Sequence, residues 1–136
     1  MDLIKKTLGP VLLAALWISL SEFIRNEFLF KSYWTDHYQL LGFSFPSEPV
    51  NGIVWGLWSL VFALLIYLIS RRFSLLETTL ICWIAGFILM WIAIGNLGVL
   101  PSGLLWFAVP LSLLETAVAS FITRNLSPPD IKSAPV

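Results

Sequence analysis

Charge is scarce in this chain. Asp, Glu, Lys and Arg together make up 12% of its 136 residues, where a soluble domain carries about 25%. So few charges do not clothe a water-facing surface. A soluble globular domain is therefore excluded, and the 58% of apolar residues points to an all-α integral membrane protein. The net charge is zero, which leaves no basic stripe and argues against a nucleic-acid partner. Cysteine is reduced to Cys82, inside an apolar run, so neither a disulfide nor a cysteine metal cluster is expected. His37 is the single histidine. That argues against zinc or di-iron chemistry, and no metal or cofactor is expected.

What the chain does have is apolar length. A membrane-spanning helix needs roughly 20 mostly apolar residues. Four stretches qualify, at about residues 4–28, 53–70, 75–96 and 103–123. They predict one four-helix transmembrane domain over residues 1–126, followed by a Pro-rich, polar and disordered tail at 127–136. Residues 29–52 form an outer loop. With the N-terminus inside, Lys5, Lys6, Arg71, Arg72, Arg124 and Lys132 are cytoplasmic and only Arg25 and Lys31 are outside. That bias predicts an N-in, C-in topology in a cell membrane, with a bacterial inner membrane as the expected setting. The first span also has signal-peptide features: Lys5 and Lys6, the apolar run Val11–Leu20, and Ser19-Leu20-Ser21. It is read here as a retained helix.

Two local similarities predict a duplicated helical hairpin. "LWISLSE" at Leu16–Glu22 is like "MWIAIGN" at Met90–Asn96, and "NGIVWGL" at Asn51–Leu57 is like "SGLLWFA" at Ser102–Ala108. Each match pairs helices of the same direction, as in transporters built from parallel repeats. Chance similarity in a Trp-rich apolar chain is the competing explanation.

The polar residues inside the spans are few, so each carries weight. Glu22, Arg25 and Asn26 have i, i+3 and i+4 spacing, which places them on one helical face with Glu22 and Arg25 paired. The repeat sets Glu22 level with Asn96, at the outer interface. The group is either a solvated helix end or the wall of an outward-facing pocket. Glu115 is the stronger candidate. It sits about two turns before the inner end of the last span, with no cation at i±3 or i±4. Its expected neighbours are Ser112 and Thr116 on its own helix, Thr78 or Thr79, and Arg71 or Arg72 from the loop. Pro110, one turn earlier, is expected to kink the helix. An intramembrane carboxyl is by default a functional site, and the competing reading is a purely structural glutamate.

The aromatic residues cluster towards the outer side: Trp34, Trp55, Trp58, Trp91 and Trp106. Tyr33, Trp34, His37, Tyr38 and Leu41 recur at helical spacing, which predicts an amphipathic helix over 32–41. These rings form either an interfacial belt or a lid over a site for a small hydrophobic or cationic ligand. His37, beside Asp36, is the one neutral-pH proton acceptor on that side. Ala85, Gly86 and Gly56 are expected at close helix contacts.

In size the chain resembles the small multidrug-resistance carriers. Their hallmark glutamate in the middle of the first helix has no counterpart, because Glu22 lies near the helix end, and no residue role is carried over. The expected function is a carrier or channel for a small molecule or ion, acting as a homo-oligomer, with Glu115 as the intramembrane site. The alternative is a non-transporting binding or accessory protein with an outer aromatic pocket for a lipid-like ligand or a partner. Catalysis is the least supported class, since no nucleophile–base pair or phosphate loop is present.

Overall fold

The computed structural model describes residues 2–127, residues 2–5 by backbone only. Of the expected disordered tail at 127–136, residues 128–136 fall outside the described residues, and Ser127 is buried and hydrogen-bonded instead. The described chain is helical, without a strand. α1 runs Asp2–Phe23 and continues through a π-helical stretch, Ile24–Leu29. α2 spans Lys31–Leu40 and α3 Pro49–Ser70. α4 is Leu75–Trp83, which a second π stretch, Ile84–Ile88, joins to α5, Leu89–Asn96. α6 closes the fold at Leu105–Leu126. Four helical segments are long and apolar enough to cross a membrane: Lys6–Leu29, Pro49–Ser70, Leu75–Asn96 and Leu105–Leu126.

Local chemistry explains the boundaries. Pro49 opens α3, where its missing N–H costs nothing, so this helix starts one turn earlier than the expected residue 53. Ser74 and Glu77 form a reciprocal capping box at the start of α4. Gly98 and Gly103, with φ of +74° and +81°, allow the turn between α5 and α6. The last span begins at Leu105 rather than 103 and runs to Leu126 rather than 123; it remains helical through Pro110.

α1 packs against α3 and α6, α4 against α6 and α3, and α3 and α6 touch across the bundle. The outward faces are apolar, with Leu12, Leu16, Ile53, Leu57, Ile92 and Phe121 all exposed. An all-round apolar exterior of this kind suits lipid rather than water. The expected amphipathic helix is α2. It lies at one end of the bundle, where Tyr33 and Phe30 meet the Phe107 ring of α6. The opposite end holds Lys6, the α3–α4 turn and Ser127. There Ser127 Oγ donates to the Lys6 carbonyl and Arg71 donates to the Ser127 carbonyl at 3.1 Å.

Part of the core is aromatic, beside aliphatic and small residues such as Ile18, Ala63 and Ile66. Phe62, Trp58, Phe87 and Trp91 make ring contacts with centroids 5.0–5.7 Å apart. Of the five tryptophans expected towards the outer side, Trp91 is buried, Trp58 and Trp34 are half-buried, and Trp55 and Trp106 are exposed. Gly86 is a true close-contact position: a Cβ there would stand 2.5 Å from the buried Phe62 ring. Gly56 is not, since a Cβ there would meet no atom of a neighbouring element within 4 Å, and Ala85 is exposed. Gly86→Ala gains about 1 kcal/mol of helix propensity, but overpacking against a ring that cannot retreat costs about 1–3 kcal/mol. A net loss of about 1 kcal/mol is expected, read as a lower unfolding midpoint in detergent.

Candidate functional site

The polar groups of α1 converge on the middle of α6. Helix spacing puts Ser21, Glu22 and Arg25 on one side of this helix, and packing turns that side towards α6. The π stretch begins just before Arg25; its widened turn is closed by the Phe30 N–H donating to the Arg25 carbonyl at 2.9 Å. π turns of this kind are frequent at functional sites. Arg25 then forks. One guanidinium nitrogen donates to Glu22 Oε1 and the other to Glu115 Oε2 at 3.2 Å. Ser21 Oγ donates to the same Glu115 oxygen at 2.6 Å, and Trp17 Nε1 donates to the Glu115 carbonyl at 3.0 Å. The guanidinium also sits over the Phe87 ring, 5.3 Å from its centroid.

The network extends towards α2. Asn26 Nδ2 donates to Glu22 Oε2 at 2.7 Å, and Trp34 Nε1 donates to Asn26 Oδ1 at 3.0 Å. A continuous chain of polar contacts therefore runs from Glu115 through Arg25, Glu22 and Asn26 to Trp34 on α2. The three charged residues are nearly sealed: Glu22 is 7% exposed, Arg25 6% and Glu115 1%. Buried charges persist only when they are paired and hydrogen-bonded. Here two carboxyl groups lie side by side and share one guanidinium, and no N–H or hydroxyl donor reaches Glu115 Oε1.

Several expectations are corrected by this arrangement. The pairing of Glu22 with Arg25 is present, but the group is buried under α2 and against α6, so it is not a solvated helix end. Glu115 is central in α6, ten residues after Leu105 and eleven before Leu126. Its partners are Arg25 and Ser21 of α1, not the residues expected. Ser112 accepts from Trp83 Nε1 at 2.9 Å and donates to the Val109 carbonyl, and Thr116 donates to the Ser112 carbonyl. Ser and Thr inside helices commonly turn back to their own backbone in this way. Thr79 does the same with Leu75, and Arg71 is engaged at Ser127 and over the Tyr67 ring. Arg72 is exposed in the turn.

The outer candidates lie away from this cluster. His37 Nε2 is 2.8 Å from the Gly98 carbonyl, which ties α2 to the α5–α6 turn. Asn96 is exposed beside that turn. Trp55 is 47% exposed and Trp106 84%, so they line no shared enclosed pocket. Trp106 instead borders an open apolar groove of about 550 Å³ with Leu100, Leu105, Val109 and Pro110. Among the described residues, no three His, Cys, Asp or Glu side chains gather as a metal site would require.

No family model, curated protein or solved structure matches the chain.

The site's geometry also names residues that the sequence reading passed over: Trp17, Ser21 and Phe87. Trp17, Ser21 and Arg25 follow at i, i+4 and i+8, so the signal for the first two was present on the same face of α1. Phe87 had no such signal, since it stands in a continuous apolar run.

Proposed function

We propose that this is a small N-in, C-in multi-pass protein of the cell membrane, which carries a proton or small cation with Glu115 as its intramembrane site. One observation carries the reading. Glu22 and Glu115 share the single guanidinium of Arg25, and Glu115 Oε1 is buried without a donor. With both carboxyls ionised, the cluster would hold two negative charges against one positive, in the middle of the span, where net charge is most costly. A proton or cation arriving at Oε1 supplies the second positive charge. Glu115 is 1% exposed, which favours a carrier with gated access over an open pore. The polar chain to Trp34 supports α2 as the outer cover, its release exposing Glu22 first. If the two hairpins are copies, Leu64 and Val99 occupy the positions equivalent to Glu115 and Arg25. The charged site then belongs to one face of the bundle only.

The test is flux into liposomes reconstituted with the purified protein, under an imposed pH gradient and potential. Glu115→Gln keeps the shape and can still accept from Ser21 and Arg25, so it should fold. Its flux should fall by about tenfold or more, as expected for loss of an intramembrane carrier group. Wild-type flux in a folded Gln variant would end the reading.

A second reading, a non-transporting lipid-binding or accessory protein, is favoured by the apolar groove at Trp106 and Pro110. No flux from the wild type, with a lipid retained in that groove, would put this reading in place of the first.

A further inference from the structure

Two more buried hydroxyls lack partners: Thr78 Oγ1 on α4 and Ser120 Oγ on α6. Both residues are 0% exposed. Buried polar atoms without a partner are rare, and each calls for a physical explanation. These two lie on helices that pack against each other, and both lie between Glu115 and the end of the bundle that holds Lys6 and Ser127.

They belong to a longer pattern. α6 carries Ser112, Thr116, Ser120 and Thr123 at spacings of four, four and three, and all four are 0% exposed. An apolar residue at any of these sites would pack against the neighbouring helices without needing a hydrogen bond. The stripe ends at Ser127, whose hydroxyl reaches the Lys6 carbonyl. Twelve residues separate Glu115 from Ser127, a rise of about 18 Å. That is slightly more than half of a hydrocarbon core about 30 Å thick. Thr116, Ser120, Thr123 and Ser127, which follow Glu115, therefore span the half of the bundle that the Arg25–Glu22–Asn26–Trp34 chain does not, while Ser112 lies one turn to the other side of Glu115.

Hydroxyl chemistry decides what such a stripe can pass. Each hydroxyl both donates and accepts. Four residues of helix rise about 6 Å, which one water spans with two hydrogen bonds of about 2.8 Å each. A metal cation needs about six oxygen ligands at once. Here Ser112, Thr116 and Thr123 already donate to backbone carbonyls of their own helix and Ser127 donates to that of Lys6, which leaves Ser120 as the stripe's unpartnered hydroxyl. Free oxygens are too few to shed a cation's water shell, but enough to relay a proton.

We infer that the buried α6 hydroxyls that follow Glu115, with the unpartnered Thr78 hydroxyl of the adjoining α4, are the route by which protons reach Glu115 from the Lys6–Ser127 end of the bundle. The inference rests on the carrier reading and narrows its cargo to the proton. One proton passes at each event. Bridging water gives up a proton to Glu115 Oε1 as it receives another from behind, so an O–H bond forms at the carboxyl and no electron moves. Ser120 and Thr78 hold the water by the lone pairs and protons that the fold leaves unused.

The experiment is proton flux in liposomes for the wild type, Thr78→Val, Ser120→Ala, their double variant, Thr78→Ser and Glu115→Gln. Val and Ala remove the hydroxyls with nearly unchanged shape, and detergent melting checks that each variant folds. Each single variant should slow the flux several-fold and the double variant tenfold or more. Thr78→Ser, which loses a methyl but keeps the hydroxyl, should remain close to the wild type. Wild-type flux in the folded single variants, with Glu115→Gln inactive, would overturn the route and leave Glu115 as carrier. If the double variant does not fold, the single variants and the Val–Ser comparison at 78 decide. Equal slowing by Val and Ser would also overturn the route, because shape rather than the hydroxyl would then matter. An absence of flux in the wild type would remove the carrier reading and the route together.

Discussion

Arg25→Met should lower the stability of the protein in detergent by about 3–5 kcal/mol, the cost of breaking a buried ion pair by removing one partner. Among the described residues, the guanidinium is the only cation in contact with Glu22 and Glu115, and both carboxyl groups are almost fully enclosed. Without it, two like charges face each other in a low-dielectric interior. The loss should be far larger than for Lys31→Met. That pair with Glu27 is 2.7 Å long but exposed, and exposed pairs contribute about 0–1 kcal/mol. Replacing the whole triad by apolar residues, Glu22→Leu with Arg25→Met and Glu115→Leu, should recover most of the stability, because apolar groups of similar volume need no pairing. Unfolding midpoints in a denaturing detergent series measure all three. An Arg25→Met protein as stable as the wild type would mean that the guanidinium is not the charge that holds the cluster.

Phe87→Ala should be nearly as severe. The ring is 0% exposed and meets Trp58, Phe62 and Trp91 with centroids at 5.7 Å. Phe→Ala in a closed core costs about 3–5 kcal/mol. For a bundle of helices apolar enough to cross a membrane, the transfer part would be smaller in lipid and the lost packing would remain, so the lower end, about 3 kcal/mol, is expected. Phe87→Leu separates two roles of the ring. It keeps most of the apolar volume but removes the π face beneath Arg25. A double-mutant cycle of Phe87→Leu with Arg25→Met should give a coupling of about 0.5–2 kcal/mol, the range of a cation–π contact from exposed to desolvated. Strict additivity would show that the ring acts by volume alone.

Both variants act on one structural fact: a polar cluster is buried where α1, α6 and the second π stretch meet. It is the same place where the proposed transport site lies, so stability and flux should be measured together on each variant. A buried ionic cluster contributes little net stability compared with apolar packing. Its presence at mid-bundle is easier to account for by a task involving charge than by the needs of folding.

The division between sequence and tertiary structure follows the range of the forces involved. Helix geometry is local. The four apolar runs, the amphipathic α2 and the shared face of Glu22, Arg25 and Asn26 all follow from residues within a few positions of one another. The start of α3 at Pro49 and the Ser74–Glu77 box were likewise written in adjacent residues. No local rule joins Arg25 to Glu115, 90 positions apart. That contact depends on which face of α1 meets which face of α6. Side-chain interdigitation along all four helices settles this at once, including the close approach of Phe62 to Gly86. The same packing turned Ser112 and Thr116 to their own backbone and left Glu115 Oε1, Thr78 and Ser120 without partners. The sequence by itself determined which residues carry polar chemistry into an apolar bundle. Only the tertiary structure decided which of them meet, because a polar side chain between packed helices takes its partner from whatever face the neighbouring helix presents.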